Sequence, residues 1–505
     1  MSEQADQQPQ RVEGQTTHDA GVPEALAHLM ARGWSGGGGD AALSAPETVA
    51  PYAAKRRALL SPRFPGEVLV VPTGGLVPRA NDTDHPFRGG SDYVWLVGDT
   101  EPDGVCVLWP DRVVVHVPPR ADRSETTFFT DRRHGELWVG PRRGVVEVAA
   151  AYDVETAPLD ALAGSLADTT LPVRVLRGID PRVDGLVGVR PKADAELATA
   201  LAELRLCKDD HEVGLLVDAV AATVTGFAEV VRELGRAAAL PNGERWLEGT
   251  FWRRARVDGN DVGYGSIVAC GHHATTLHWV RDDGPVRDGD LALLDMGVES
   301  RGLYTADITR TLPVSGTFTE PQRRVYDVVA RAHAAGLAAT RPGAAFLDPH
   351  RAAMRVITAA LVEWGLLDAE HTTTVQERDP AGADDAAETE VTKTGIDALL
   401  ADQLHRRWTL HGTSHHLGLD VHDCAHARDE HYRHGTLQAG MVITVEPGLY
   451  FQPDDTLAPA ELRGIGVRIE DDVLLTADGC RVLSDALPTE AGEVEAWVTR
   501  LRSEP

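Results

Sequence analysis

Short runs of β-branched and apolar residues, separated by Gly, Pro and Asp turns, fill the part of the chain that follows residue 45. Runs of this length, bounded by turn residues, are typical of β-strands. Ala-rich stretches with helical character follow them. We therefore predict an α/β domain over residues 45–203, with strands at Glu67–Val71, Tyr93–Val97, Val105–Trp109 and Val113–Val117.

A different pattern begins near Leu206, where apolar residues recur at the three- and four-residue intervals of one helix face: Val213, Leu216, Val220, Val224 and Phe227. Strands and helices beyond this point do not alternate strictly, which favours an α+β domain over residues 204–505 rather than a doubly wound sheet. The predicted strands are Ser266–Ala269, Leu291–Met296, Met441–Val445 and Val467–Ile469, and the predicted helices are 320–340 and 347–366.

Two polar segments interrupt these patterns. Residues 1–44 are polar and rich in Gly, which predicts a flexible tail with one short helix around Pro23–Arg32. Between residues 371 and 402 the chain holds 8 Asp and Glu against 2 Lys and Arg, together with many Thr and Ala. We interpret this stretch as a solvated, acidic insertion loop in the second domain.

The charge balance argues against two kinds of partner, nucleic acid and anionic lipid. The chain has 505 residues, with 49 Lys and Arg against 77 Asp and Glu, and its net charge is −28. Binding to nucleic acid depends on clustered Lys and Arg, and so does docking on anionic lipid. We therefore expect no nucleic-acid partner and no attachment to a membrane surface.

The sequence also predicts a cytoplasmic protein. Its five cysteines are scattered and form no Cys-x-x-Cys pair, which argues against a disulfide framework. The first residues lack a basic segment followed by an apolar one, so they do not resemble a secretory signal. No apolar run approaches the ~20 residues that a membrane-spanning helix needs.

Residues 291–311, LALLDMGVESRGLYTADITRT, predict a hairpin that carries two aspartates. An apolar strand ends at Asp295, the chain turns near Ser300–Gly302, and a second strand runs through Asp307. A hairpin of this length can place the two carboxylates side by side. Because a buried carboxylate needs a cation or hydrogen bonds, Asp295 is a metal ligand, a turn cap or the partner of an arginine such as Arg310.

Histidines cluster in the segment 411–423, HGTSHHLGLDVHD. His411, His415 and His422 lie within 12 residues, and the intervening glycines permit close approach of the backbone. Such a segment can present imidazoles to a metal ion or a substrate. The chain has 20 histidines, so a chance cluster is the alternative.

Two later strands carry charged residues. In MVITVEPGLY, a β-branched strand runs directly into Glu446 before a Pro-Gly turn. In GIGVRIEDD, Arg468 and Glu470 alternate with apolar residues and so share one face of a strand. The alternatives are a plain strand exit at Glu446 and an ion pair or a solvent-exposed face at the other two.

Together these segments supply four carboxylates and one imidazole on strands or at strand ends: Asp295, Asp307, His415, Glu446 and Glu470. Such a donor set suits hard or borderline divalent cations. Four neighbouring carboxylates would repel one another unless cations compensate them. Two ions roughly 3.5–4 Å apart, sharing a hydroxide nucleophile, would do so.

The five residues, in this order, resemble the ligand set of the pita-bread metallopeptidases. HGTSHHLGLDVHD, TVEPGLY and GVRIEDD are similar to motifs of Xaa-Pro aminopeptidase (aminopeptidase P) and its relative prolidase. FRGGSDYVWLVG, LRLCKDDHEVGLL and GSIVACGHHATTLHW extend the likeness to about residues 50–505, apart from the acidic insertion. The resemblance implies an α+β pita-bread catalytic domain preceded by a smaller α/β domain of the aminopeptidase P type.

The resemblance also implies a role for each matching residue. Asp295 would chelate one metal ion, and His415 and Glu446 would hold the other. Asp307 and Glu470 would bridge both ions. Glu446 would also carry a proton from the attacking water towards the leaving amine.

Further residues match positions on the substrate side in the family. They are His278, His411 and His422, of which the last two could donate to the developing oxyanion. Arg468 matches an arginine that orients the bridging glutamate. Tyr450 lies near the site in the same alignment.

The implied reaction is hydrolysis of the Xaa–Pro bond at a peptide N-terminus. The implied cofactors are two divalent ions, usually Mn²⁺, although the ligand types also allow Co²⁺ or Zn²⁺. The implied partners are peptide substrates with N-terminal Xaa-Pro and further copies of the chain, in a homodimer or homotetramer.

Three alternatives stay open. Prolidase, which cuts only dipeptides, shares the ligand set. A metal-free pita-bread binding protein and a creatinase-like hydrolase are more distant alternatives, because such proteins have lost ligands that this chain keeps.

Overall fold

The computed structural model describes residues 22–34, 45–81, 83–377 and 389–504. The chain divides into two compact units between Leu204 and Arg205. Each unit mixes helices and strands, as the sequence predicts.

In chain order, the described part of the first unit forms α1 (Glu24–Met30), α2 (Ala50–Leu60), β1 (Val68–Pro72), β2 (Pro78–Ala80), β3 (Thr83–Asp84), α3 (Ser91–Val97), β4 (Val105–Leu108), β5 (Val113–Val117), α4 (Thr127–Thr130), α5 (Glu136–Val139), α6 (Val145–Tyr152), β6 (Glu155–Pro158), α7 (Leu162–Ala167), β7 (Val173–Val175), α8 (Pro181–Asp184) and α9 (Pro191–Arg205).

A five-stranded mixed sheet in the order β6-β5-β4-β1-β7 forms the centre of this unit. Strand β1 is antiparallel to β4 and parallel to β7, and β5 is antiparallel to β4 and parallel to β6. The apolar runs that predicted these strands are buried within the sheet, where Val70 and Val107 pack with Leu162 and Leu166 of α7.

One predicted strand is wrong, because Tyr93–Val97 lies in helix α3. All five of its residues are buried, so the apolar run has no polar face to reveal its period. Periodicity cannot separate a short buried helix from a short buried strand. The glycines on either side are the signal that favours a helix. Gly90 is the N-cap, and Gly98 takes the left-handed conformation, φ 89°, at the C-cap.

The second unit forms, in chain order, α10 (Asp210–Ala237), α11 (Gly243–Asp258), β8 (Asp261–Val262), β9 (Ile267–Cys270), β10 (Leu291–Met296), β11 (Val298–Glu299), β12 (Ile308–Pro313), α12 (Glu320–Ala339), α13 (Asp348–Glu363), β13 (Thr372–Glu377), β14 (Thr389–Thr394), α14 (Ile396–Ala401), β15 (Val442–Val445), β16 (Gly448–Tyr450), β17 (Gly466–Arg468), β18 (Asp471–Leu475), β19 (Cys480–Val482) and α15 (Ala491–Ser503).

Two three-stranded sheets, β12-β10-β9 and β15-β18-β19, position the four predicted carboxylates: Asp295 lies on β10, and Asp307, Glu446 and Glu470 each lie one residue beyond the end of β12, β15 or β18. Strands β10 and β12 pair antiparallel, and the N–H of Leu303 donates to the Ser300 carbonyl in the turn between them. This is the predicted hairpin. A backbone bridge between Thr309 and Glu470 joins β12 to the segment that leads into β18.

Helix α10 is the amphipathic helix that the spacing predicts. By length and composition alone it could also cross a membrane. Its buried face packs in the core of this unit, where the Phe227 ring meets the edge of Phe251 on α11 with ring centroids 6.3 Å apart. Its apolar content is therefore explained by packing within the domain.

The interpretation of residues 371–402 as a loop is wrong for the part that the structure describes. Strands β13 and β14 pair in register from Thr372–Thr394 to Glu377–Thr389. Helix α14 follows and buries Ala398 and Leu399. The two strands, TTTVQE and TEVTKT, are rich in Thr and each holds one Val, which favours strands, and the acidic composition of the stretch concealed this signal. Residues 378–388 lie outside the described residues.

The N-terminal segment can be compared with its prediction only in part. Helix α1 lies within the predicted 23–32 helix. Residues 1–21 and 35–44 lie outside the described residues, so the prediction of a flexible tail stays a prediction.

Arg310 is a fully buried side chain that holds the second unit together behind the β10–β12 hairpin. Its guanidinium donates to Asp471 Oδ1 at 2.6 Å and to the carbonyl oxygens of Glu470 and Leu487 at 2.6 and 3.0 Å. Arg310 therefore pairs with Asp471 and not with Asp295, the alternative that the sequence left open.

We expect Arg310→Met to lower the free energy of unfolding by about 3–5 kcal/mol, because Asp471 would then be a buried charge without its arginine partner, with His333 and Ser484 as its remaining contacts. Chemical denaturation followed by circular dichroism measures this loss.

The matched control is Arg323→Met, on the exposed face of α12, where Arg323 pairs with Asp327 at 3.0 Å. An exposed pair of this kind contributes at most about 1 kcal/mol. Equal losses in the two variants would contradict the role of Arg310.

Candidate metal centre

A cavity of about 670 Å³ in the second unit brings together nine of the ten residues that the sequence predicts for the site. Its lining also includes apolar side chains such as Ile267, Leu277 and Val280. The tenth residue, Tyr450, lies directly behind the lining. The nine are His278, Asp295, Asp307, His411, His415, His422, Glu446, Arg468 and Glu470.

The hairpin register places Asp295 and Asp307 on one face. Asp295 pairs with Thr309 across β10 and β12. Since side chains alternate along a strand, Asp307 points to the same side as Thr309, two residues further on. Both carboxylates are buried, with Asp295 7% and Asp307 5% exposed.

His415 and Glu446 are placed together by a backbone pairing. The N–H of Thr444 donates to the carbonyl of His415, and the N–H of Glu446 donates to that of Thr413. His415 Nε2 consequently lies 3.2 Å from Asp307 Oδ2 and 3.7 Å from Glu446 Oε1.

The other ring nitrogen of His415, Nδ1, lies 3.2 Å from the backbone carbonyl of His416. A carbonyl can only accept, so this contact favours the tautomer with its proton on Nδ1 and a lone pair on Nε2 towards the carboxylates.

Glu470 closes the group on the opposite side. One ligand atom from each of Asp307, His415 and Glu470 lies within 4.8 Å of the other two, a spacing that could hold a metal ion. The Thr309 hydroxyl donates to Glu470 Oε2 at 2.6 Å and fixes the orientation of that carboxylate.

Arg468 contacts a different carboxylate from the one implied by the family resemblance. Its Nη2 donates to Asp295 Oδ2 at 2.5 Å. It reaches the bridging position only indirectly, because its Nε donates to the Thr309 hydroxyl, which in turn holds Glu470.

Tyr450 links Arg468 to His411. Its hydroxyl accepts from Arg468 Nη1 at 3.0 Å and lies 2.8 Å from His411 Nε2. His411 Nδ1 lies 2.7 Å from the Gly412 carbonyl and 3.4 Å from Glu446 Oε2. Because a carbonyl can only accept, Nδ1 of His411 carries a proton, and its Nε2 faces the Tyr450 hydroxyl.

The remaining two histidines line the mouth of the cavity. His422 meets the His415 ring edge-on, with centroids 4.5 Å apart. His278 is exposed and follows Leu277, which also lines the cavity. Among the described residues, neither ring has a hydrogen bond as short as those of His411. Both imidazoles can therefore contact a bound molecule.

The carboxylates are crowded enough to change their acidity. Burial raises the pKa of Asp295 to about 6, although Arg468 opposes this shift. Burial and the charges of Asp307 and Glu446 raise the pKa of Glu470 well above its usual value. Burial also raises the pKa of Glu446, but the His411 hydrogen bond and charge outweigh it and bring that pKa below its ordinary value.

The pKa of the central imidazole, His415, is raised as well. Burial lowers the pKa of His415, but the hydrogen bond and charge of Asp307, with the charge of Glu446, raise it to about 9. Without a metal ion, Asp295, His415 and Glu470 therefore tend to keep their protons, which offset the excess negative charge of the cluster. A cluster of carboxylate oxygens around one imidazole that needs more positive charge is suited to divalent cations.

Sequence reasoning missed three residues that support the cluster. The Tyr264 hydroxyl donates to Asp295 Oδ1 at 2.7 Å, and Asp472 accepts from the N–H of Asp307 at 3.1 Å. Thr309 could have been found, because it lies two residues after Asp307 on the same strand face. Tyr264 could not, because only the tertiary fold brings it near.

Two family models match the chain. Residues 215–477 match metallopeptidase family M24, and residues 52–172 match the aminopeptidase P N-terminal domain. The chain is 49% identical over 490 residues to Xaa-Pro aminopeptidase 1 of Streptomyces coelicolor, which covers 95% of this chain and 93% of that protein.

Solved structures agree with the sequence comparison. A variant of Escherichia coli aminopeptidase P in complex with substrate aligns with a TM-score of 0.75, and the same enzyme with the inhibitor Pro-Leu aligns with a TM-score of 0.76. Each is 28% identical and covers 91% of this chain and 100% of that one. These matches confirm the predicted pita-bread fold, and the chain belongs to metallopeptidase family M24, with an N-terminal domain of the aminopeptidase P type.

Proposed function

We propose that this protein is a divalent-metal hydrolase that releases the N-terminal residue from peptides with proline in the second position. The observation that carries the proposal is the convergence of Asp307, His415 and Glu470 on one cavity, with Asp295 and Glu446 beside them. The chain is 49% identical in sequence to a relative named Xaa-Pro aminopeptidase 1, and the alignment spans nearly the whole length of both proteins. The neighbour that binds Pro-Leu supports a proline subsite next to this cluster.

The family resemblance assigns the ligand roles, and the grouping of Asp307, His415 and Glu470 supports them. Asp295 would hold one ion, and His415 and Glu446 would hold the other. Asp307 and Glu470 would lie between the two. When bound, the ions would supply Lewis acidity towards the substrate carbonyl and lower the pKa of an attacking water.

Proton transfer falls to Glu446. Its pKa is held low by His411, after burial has raised it, so the carboxylate is ionised and able to accept a proton from water. The same group can then deliver that proton to the proline nitrogen, which must gain one to leave as an amine. His411 and Tyr450 keep this carboxylate in place.

The preference for proline has a physical basis. The peptide nitrogen of proline carries no hydrogen and its ring fixes φ, so general peptidases that bind this N–H handle the bond poorly. The apolar side of the cavity, with Ile267, Leu277 and Val280, offers a surface for the pyrrolidine ring. Of the two histidines that the resemblance assigns to the developing oxyanion, His411 and His422, the latter lies at the mouth and would donate to the substrate carbonyl, and His278 would contact the substrate beside it.

Other features of the activity are extensions of this proposal. Manganese suits oxygen ligands with one imidazole, although Co²⁺ and Zn²⁺ are also compatible with them. A homodimer or homotetramer and a cytoplasmic location stay predictions from the sequence.

We expect the manganese-loaded protein to release the first residue of an Xaa-Pro-Xaa tripeptide. Asp307→Ala should lower kcat/KM at least about 100-fold, because a ligand shared by both ions is lost. Mass spectrometry of the released residue measures this, and Asp327→Ala on the exposed face of α12 is the matched control. Cleavage of an Xaa-Pro dipeptide alone would indicate prolidase activity instead, and cleavage of neither would overturn the proposal.

Metal removal should destabilise the protein more at high pH than at low pH. A carboxyl whose folded pKa is raised contributes stability at low pH that is lost as pH rises through that pKa, about 6 for Asp295. His415, with a pKa raised to about 9, changes in the same direction. The metal must displace these protons, so its binding strengthens as pH rises.

Thermal unfolding with manganese and with EDTA, at about pH 5.5 and pH 8, tests this pH dependence. The difference in Tm between the two conditions should be larger at the higher pH, and Asp307→Ala should show little difference at either. A difference in Tm that shrinks as pH rises would contradict the assignment of these groups as ligands.

A further inference from the structure

A second cavity, of about 520 Å³, adjoins the metal centre. His411 and Gly412 line both cavities, so the two meet at the residue that contacts Glu446 and Tyr450. Helix α13 forms one wall of the second cavity. The other wall comes from the end of the 371–402 insertion and the segment that follows it, with Lys393 on β14, Leu400 on α14, and Arg406.

The charge of this second cavity is opposite to that of the chain. Among the residues that the structure describes, its lining holds five Lys and Arg but a single carboxylate, Asp397. The whole sequence has 49 Lys and Arg against 77 Asp and Glu. The five are Arg351, Arg355, Lys393, Arg406 and Arg433.

Carboxylates neutralise only part of this charge. Arg355 pairs with Asp397 at 2.6 Å, and Arg351 pairs with Asp348 at 3.0 Å. Arg406 donates instead to the side-chain oxygen of Gln403 and the carbonyl of Leu410. Among the described residues, neither Arg406 nor Arg433 pairs with a carboxylate.

A histidine inside the cavity responds to this positive charge. His350 Nδ1 forms a hydrogen bond of 2.8 Å with the hydroxyl of Thr413, which lies two residues before His415. Burial lowers the pKa of His350 to about 4, with help from the positive charges of His405, His411, Arg433 and Arg406. An anion placed here would therefore meet a positive potential.

We infer that the second cavity binds a carboxylate of the peptide substrate on the C-terminal side of proline, either the terminal carboxylate or an acidic side chain. The inference rests on the proposed function, since it assigns a subsite to the same cleft. The N-terminal ammonium of the substrate is repelled by Lys and Arg, so the cavity suits the opposite end of the peptide. It also gives the insertion a role, because Lys393 and Asp397 set the charge of this wall.

Paired peptides test the inference. The series Ala-Pro-(Ala)n, with n from 1 to 4, is made with a free C-terminal carboxylate and with a C-terminal amide. At one or more lengths the acid should have a kcat/KM about three- to tenfold higher than the amide, as expected for a charged contact that is partly solvated. The preference should fall towards one in high salt, because partly exposed charges are screened.

A second pair separates the two sources of carboxylate. Ala-Pro-Ala-Glu-amide and Ala-Pro-Ala-Gln-amide differ only in an internal side chain. A higher kcat/KM for the Glu peptide assigns the subsite to acidic side chains as well as to the terminus. Equal values, together with an acid-over-amide preference, restrict it to the C-terminus.

Variants with opposite expectations give the strongest test. Arg406→Gln combined with Arg433→Gln should abolish most of the acid preference, because these two lining cations pair with no carboxylate among the described residues. Asp397→Asn should increase it, because a carboxylate of the lining is removed and Arg355 is released from its ion pair. Each preference is the ratio of the kcat/KM values for the acid and the amide, measured on one enzyme preparation. A smaller folded fraction in a variant lowers both values equally and so does not change the ratio.

Arg253→Gln is the matched control. Arg253 is an exposed arginine paired with Glu229 at 3.3 Å, like Arg355 with Asp397, but it lies on α11 and lines neither cavity. Its acid preference should equal that of the parent protein. Equal cleavage of acid and amide by the parent, or a preference that survives in the double variant, would overturn the subsite alone. Cleavage of neither peptide would overturn the proposed function as well.

Discussion

The constraint on which this structure depends is the confinement of like charges. Asp295, Asp307, Glu446 and Glu470 share one largely buried cavity, where each raises the free energy of ionising the next. Arg468 and two histidines supply positive charge, but not enough, because the pKa values of Asp295 and Glu470 remain raised. A fold that keeps such groups together must hold each of them rigidly, since any loosening would let the carboxylates separate and take up water.

Strand alternation provides that rigidity by dividing neighbouring residues between two tasks. On β12, Thr309 faces the cavity and holds Glu470, while the adjacent Arg310 points to the opposite side and holds Asp471. The same division recurs at Glu470 and Asp471, which are also adjacent. One buried arginine therefore ties together the backs of the two segments whose fronts carry the ligands. The catalytic face and the structural face are separated by one peptide unit in each segment.

The sequence predicts the parts of this arrangement that are local. The β10–β12 hairpin follows from an apolar run, a turn and a second strand, and the ends of the strands identify Asp295, Asp307 and Glu446. Contacts between distant segments have no such local signal. Tyr264 contacts Asp295 from 31 residues away, and Arg468 selects Asp295 rather than Glu470 only once β10 and β17 have packed. Where a run is wholly apolar, as at Tyr93–Val97, or acidic and Thr-rich, as in the insertion, composition conceals the period that would identify the element.

The two cavities together define an orientation for a bound peptide. One is lined by carboxylates and the other by Lys and Arg, and they meet at His411. An extended peptide is itself a dipole, with an ammonium at one end and a carboxylate at the other. In the proposed arrangement its ammonium end lies near the carboxylate cluster and its anionic end in the basic cavity. The opposite orientation would place like charges together at both ends. Electrostatic complementarity of this kind selects an orientation even where each contact is weak. It favours approach by the N-terminus, as an aminopeptidase requires.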